Sequence, residues 1–229
     1  MEIRTLKYLA TLILATSAPL YTSSAGTFQS ITIDGDFSDW AGVPVLNADP
    51  ADNVGSVDLA NIQIANDSAN LYIRATYHGA LAQSTYIALD IDQNTATGFN
   101  IFGLGLIGSE AGWQNDYAFA QATGNFNSGS LAGDYFGGGH ALMSPFGDSS
   151  SREWAIALNS TFLTGGAAVF PDGSFNILLW TDAGAGDVSA PISYTIAAVP
   201  EPTALALLGL GGFGCFLSTA RRRSVAGIR

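Results

Sequence analysis

Eighteen consecutive residues near the C-terminus, Thr203 to Ala220, carry no charge, and Arg221, Arg222 and Arg223 follow them directly. At a helical rise of ~1.5 Å per residue such a run spans ~27 Å, close to the thickness of a bilayer core. No ion has to be desolvated to place it in lipid. The arginines are expected to stay on the cytoplasmic side, which puts everything before Pro200 on the far side. The chain therefore reads as an exported part followed by a C-terminal transmembrane helix, and only the exported part is free to build a soluble fold.

Val199-Pro200-Glu201-Pro202 stands just ahead of the apolar run. The order of Pro-Glu-Pro triplet, apolar run and arginine cluster resembles the PEP-CTERM sorting signal of bacterial exported proteins. The resemblance covers residues 199–223. It implies that Pro200, Glu201 and Pro202 form a processing site for an exosortase, a membrane protease that cuts near the triplet. It also implies that residues 203–220, backed by Arg221, Arg222 and Arg223, hold the chain in the membrane beforehand. The product is then expected at the cell surface or in the extracellular matrix. An ordinary membrane anchor is the alternative reading of the same residues.

The N-terminus agrees with export. Arg4 and Lys7 form a basic start, and Tyr8 to Tyr21 is an apolar stretch short enough to read as a signal helix. Ser23-Ser24-Ala25 offers the small residues a signal peptidase reads, so residues 1–25 are expected to be removed. Residues 26–198 are then one domain, and 199–229 the sorting and anchor tail. Between Gly26 and Val199 there are two basic residues, Arg74 and Arg152, against 17 acidic ones, a net charge of −15 at neutral pH. That balance excludes nucleic acid as a partner, because phosphate binding needs cations. It leaves two readings of the aspartates: solubility outside the cell, or a divalent cation held by some of them. The single cysteine, Cys215, lies in the apolar run, so no intrachain disulfide forms.

Residues 26–198 show no long stretch of helical periodicity. Short alternating runs separated by turn residues recur instead, the pattern of an all-β domain. Ile31 to Ile33 reads as a short strand turned by Asp34-Gly35. Ser56 to Ala65 alternates with a slip at Ala60-Asn61 that suggests a bulge. Leu71 to His78 alternates cleanly and completes a hairpin with it across Asn66–Asn70. Further strands are expected at Thr85–Asp92, Asp116–Gln121, Glu153–Leu158, Phe175–Trp180 and Ile192–Ala197, and one helical turn at Thr161–Leu163. Residues 122–151 are rich in glycine and read as loops around one or two weak strands. Seven or more short strands predict two packed sheets, a β-sandwich.

Three segments sharpen this. Ile33-Asp34-Gly35-Asp36-Phe37-Ser38-Asp39-Trp40 comes first, and Asp58-Leu59 through Leu71-Tyr72-Ile73 second. Asp90-Ile91-Asp92-Gln93-Asn94, Thr97-Gly98-Phe99 and Asn115-Asp116-Tyr117 make the third. Glu153 to Leu158 is a weaker fourth element. In this order they resemble family 9-like carbohydrate-binding domains, related to DOMON-type domains. The resemblance implies a jelly-roll-like β-sandwich of the carbohydrate-binding-module type, with extracellular polysaccharide as partner.

Read as chemistry, Trp113 sits among glycines with Gln114 and Asn115. A loop Trp can stack on a sugar ring while its neighbours hydrogen-bond, and core packing is the competing reading. Trp40 and Trp180 read as core. Asp90, Asp92 and Asn94 place three oxygen-bearing side chains within five residues, with Asp116 as a fourth from the next strand. They form a candidate calcium site, since calcium takes 6–8 oxygens at ~2.3–2.6 Å. The motif is not an EF-hand, because Thr95 and Ile101 stand where that loop needs Gly and Glu. An Asx-turn capping local amides accounts for the same residues equally well. No catalytic residue set stands out: His78 and His140 are far apart, and the G-x-G-x-x-G at Gly103–Gly108 lies outside any βαβ unit. The expectation is a non-enzymatic exported protein. A polysaccharide hydrolase using paired carboxylates is the alternative.

Overall fold

The computed structural model describes residues 24–200, apart from 54–56, 81–83, 133–135, 137–139, 164 and 182–185. The expected transmembrane helix and nearly all of the expected signal helix lie outside the described residues. Among the described residues no helix is long and apolar enough to cross a membrane.

The described residues form thirteen strands in two sheets, and a set of apolar side chains from each sheet meets between them. In chain order they are β1 (Ser24–Ala25), β2 (Val45–Ala48), β3 (Leu59–Asn66), β4 (Asn70–Tyr77), β5 (Thr85–Asp90), β6 (Ala111–Gln114) and β7 (Tyr117–Ala122). There follow β8 (Asn125–Ala132), β9 (Ala141–Ser144), β10 (Ser151–Ala157), β11 (Thr161–Phe162), β12 (Ser174–Thr181) and β13 (Ile192–Thr195). The larger sheet runs β1-β13-β12-β5-β6-β7-β8-β11, and the smaller β2-β3-β4-β10-β9. All pairings between strands are antiparallel except β1 with β13. The expected all-β sandwich is therefore observed.

The main core lies between the sheets. Ile87, Leu89, Trp113, Phe175, Ile177 and Leu179 come from the larger sheet, and Leu59, Ile62, Ile64, Leu71, Ile73, Trp154 and Ile156 from the smaller. The hairpin of β3 and β4 forms as expected, with its register shift between Leu59 and Asn61. Its turn is held by Asp67, whose Oδ1 accepts from Ala69 N and Asn70 N, each at 2.8 Å.

Ile31 to Ile33 is not a strand. This segment crosses the outer face of the smaller sheet, where Ile31, Trp40 and Val43 pack on Ala65, Tyr72 and Ala155. Glu153, fully buried in β10, anchors it. Its Oε1 accepts from Asp34 N (3.1 Å) and Gly35 N (2.8 Å), and its Oε2 from Trp40 Nε1 (2.8 Å). Gly35 has φ +87°, a value that favours glycine. Thr161–Leu163 is likewise no helical turn: Thr161 and Phe162 pair with Ala132 and Leu131 at the end of the larger sheet.

Candidate cation cluster and ligand surface

Asp90 ends β5, and Glu110 stands just before β6, opposite it. Glu110 N donates to Leu89 O at 2.9 Å, and Ile91 N donates to Glu110 Oε2 at 2.8 Å. The chain between them folds onto itself without room to spare. A Cβ on Gly98 would sit 2.5 Å from the carbonyl of Ser109, and one on Gly108 only 2.1 Å from Thr97 O. This backbone-on-backbone contact brings the turn carrying Asp92 against Glu110. One carboxylate oxygen from each of Asp90, Asp92 and Glu110 lies within 4.8 Å of the other two.

Each of these groups is also tied locally. Asn94 N lies 3.0 Å from both Asp90 Oδ1 and Asp92 Oδ1, and Asn176 Nδ2 donates to Asp90 Oδ2 at 3.2 Å. Thr97 Oγ1 lies 2.9 Å from Asp92 Oδ2 and 3.0 Å from Glu110 Oε1. Burial, then the charges of Asp92 and Asp90, push the Glu110 carboxyl up to about 7. Burial also raises Asp90. Burial of the charged forms of Asp90 and Glu110 favours a proton or a cation there, and an all-oxygen set with a hydroxyl at its edge would suit calcium.

The sequence-expected set is thus partly assembled. Asp90 and Asp92 meet. Asn94 faces them through its backbone N–H, while its side chain accepts from Ala96 N, an Asx-turn. Asp116 does not join. The register sets Gln114 opposite Tyr86, so Asp116 lies in the β6–β7 turn beyond Thr85, at the other end of β5 from Asp90. Five residues of strand separate those ends, ~17 Å. Glu110 takes its place. Its signal was its position one residue after Gly108-Ser109, at the return of the loop that leaves Asp92.

Trp113 corrects a second expectation. It lies in β6, not in a loop, is 1 % exposed, and faces the core with Ile87 and Leu89. A sugar has no access to that face. Gln114 and Asn115 are half-buried and line a polar cavity of about 240 Å³ with Ser84, Phe146 and Arg152. Asn115 takes φ +56°, as a two-residue hairpin turn of this kind requires. Arg152 is buried and spends its guanidinium on Pro145 O, Phe146 O and Gly147 O at 3.0–3.1 Å.

The outer face of the larger sheet carries aromatic groups instead. Cross-strand pairing aligns Trp180, Tyr86, Gln114 and Tyr117 in one row, ~14 Å across three strand gaps. Tyr86 stacks on Trp180 with ring centroids 4.0 Å apart. Phe126 and Phe102 meet the Trp180 ring edge-on at 5.8 and 5.2 Å. Phe126, Tyr117 and Phe102 are 36, 49 and 57 % exposed. Trp180 is buried as expected, but on this outer face and not between the sheets.

Residues 198–223 match the PEP-CTERM protein-sorting motif. No curated protein matches the sequence. Among solved structures, a carbohydrate binding module of family 9 from Caldicellulosiruptor kristjanssonii in complex with cellotriose is similar at 13 % identity and a TM-score of 0.44. The likeness covers 80 % of this chain and 97 % of that one. The same organism's family 9 module in complex with glucose is similar at 13 % identity and TM-score 0.44, over 79 % of this chain and 98 % of that one.

Proposed function

We propose that this chain is an exported, non-enzymatic surface protein whose β-sandwich binds extracellular polysaccharide. An exosortase-type protease would process it near Pro200, Glu201 and Pro202 while residues 203–220 and the arginines 221–223 hold it in the membrane. The observation that carries the export reading is the sorting motif at 198–223, which starts directly after Ala197, a residue hydrogen-bonded to Asn66 of the sandwich. The ligand reading rests on the outer aromatic row. Exposed rings beside amide side chains are what a sugar's apolar face and hydroxyls require. Phe102, Phe126 and Tyr117 would stack, and Gln114 and Asn115 would hydrogen-bond. Calcium held by Asp90, Asp92 and Glu110 would fix the loop that carries Phe99 and Phe102.

A panel of immobilised polysaccharides, offered to the domain made without residues 199–229, tests the ligand reading. Binding should weaken about tenfold in Phe126→Ala and Phe102→Ala. Unchanged binding in both would move the ligand elsewhere. Release of reducing ends from any bound polysaccharide, lost in Glu110→Gln, would favour the hydrolase instead.

A further inference from the structure

A second acidic group includes Asp187, whose neighbour Val188 pairs with Trp180 of the aromatic row. Asp49, at the end of β2, is fixed by its N–H to Ala60 O (2.7 Å), and His78 Nε2 lies 2.8 Å from its carbonyl oxygen. Asp187 reaches it from the larger sheet. Asp187 Oδ2 accepts from Leu59 N and Oδ1 from Val188 N, both at 2.7 Å, and its own N–H donates to Thr181 Oγ1 at 2.9 Å. Carboxylate oxygens of Asp49, Asp52 and Asp187 fall within 4.8 Å of one another.

Asp58 stands beside this trio, near enough for its charge to act on Asp49 and Asp187. It precedes Leu59, the residue that Asp187 grips, and is 8 % exposed. Its Oδ1 is buried with no hydrogen-bond partner among the described residues. Burial, then the charges of Asp187, Asp52 and Asp58, drives the Asp49 carboxyl up to about 6. The nearby His78 acts against these charges at Asp49, and both arginines of the domain have partners elsewhere. Arg74 bonds Ser151 and Gln63, and Arg152 bonds the 145–147 carbonyls.

We propose that Asp49, Asp52, Asp58 and Asp187 bind a calcium ion that ties the loop after β2 to both sheets. An unpaired buried carboxylate oxygen costs its full desolvation, and a cation within reach is the partner it lacks. Asp187 keeps its two N–H bonds, because each carboxylate oxygen has a second lone pair. The donors are all oxygen, which favours a hard cation over metals that select thiolate or imidazole. Four carboxylates suit calcium's 6–8 ligands better than magnesium, which usually takes one or two carboxylates. The site is independent of the polysaccharide reading and of Asp90, Asp92 and Glu110.

Equilibrium dialysis against millimolar calcium counts the ions on the full chain in detergent. The wild type should bind one more ion per chain than the Asp49→Asn/Asp52→Asn variant, with circular dichroism showing the variant folded. Asp58→Asn reads the same ion from the buried side and should lose it too. The comparison pair is Asp92→Asn/Glu110→Gln, which should keep this ion. If the folded Asp49→Asn/Asp52→Asn and Asp58→Asn proteins keep the wild-type count, the site is overturned. A wild type with a single ion, lost only in the comparison pair, overturns this site and leaves the other standing.

Discussion

Glu153 joins two segments 113 residues apart, and its energy can be tested one atom at a time. Glu153→Ala leaves three N–H donors without their acceptor, of which Trp40 Nε1 is buried and those of Asp34 and Gly35 are partly open to water. We expect a loss of about 2–3 kcal/mol in urea denaturation, most of it from the buried indole, and a smaller loss for Glu153→Gln, which keeps one acceptor oxygen. Trp113→Ala should cost ~3–5 kcal/mol, because it opens a cavity between the sheets. A loss below ~1 kcal/mol would show that the ring does not pack as described. At this scale the sequence was half legible. The Asp34-Gly35 turn and the burial of Trp40 followed from local residue types. Their acceptor did not, since pairing between distant segments leaves no local pattern. Trp113 was obscured because β6 reads Ala-Gly-Trp-Gln, with one large apolar residue and no alternation to count.

Elements with several large apolar residues were readable, and short ones were not. The β3–β4 hairpin and its bulge showed in the alternation of Leu59, Ile62, Ile64, Leu71 and Ile73. Ile31–Ile33 has the same alternation but lies across a sheet, because its apolar side chains are buried there without a strand partner. The loop from Asp90 to Glu110 depends on two glycines that composition alone would assign to flexibility. Gly108→Ala should lower the melting temperature and remove the share of calcium stabilisation that Asp92→Asn/Glu110→Gln also removes, since its Cβ would meet Thr97 O at 2.1 Å and Asn94 O at 2.6 Å. Gly147→Ala, with nothing within 4 Å of its Cβ, should do neither. The same loop predicts a pH effect. Glu110 moves from 4.5 to about 7, so the folded state holds its proton more tightly than the unfolded one. That contribution is complete below pH ~4.5 and is lost as pH rises through ~7. Asp90, also raised, acts in the same direction from a lower starting value. Melting temperatures in chelator should fall across this window, and calcium should flatten the fall by keeping the carboxylates ionised. An identical profile with and without calcium would reject the cation cluster.

For the molecule as a whole, the tail and the sandwich are separable. Deleting residues 199–229 should release a folded domain into the periplasm or medium, with its melting temperature close to the full chain's, because among the described residues the hydrogen bonds to the sandwich run as far as Ala197. Retention in the membrane fraction to the original extent would show that the tail is not the anchor. Gly26 lies against that same point: a Cβ there would stand 2.3 Å from Thr195 O and 2.8 Å from Ala197 N. The expected cleavage after Ala25 would remove the two residues of β1 and leave Gly26 in this contact. The folded region therefore begins and ends at one spot on its surface. Seen as a part in a longer polypeptide, it is a cassette. Whatever leader and tail flank it are set side by side, and another closed fold could replace it without altering their spacing. The same closeness means that a short bridge from residue 197 to residue 26 closes the chain into a ring, and a new opening in the exposed stretch at 147–148 yields a permuted protein with the same two sheets.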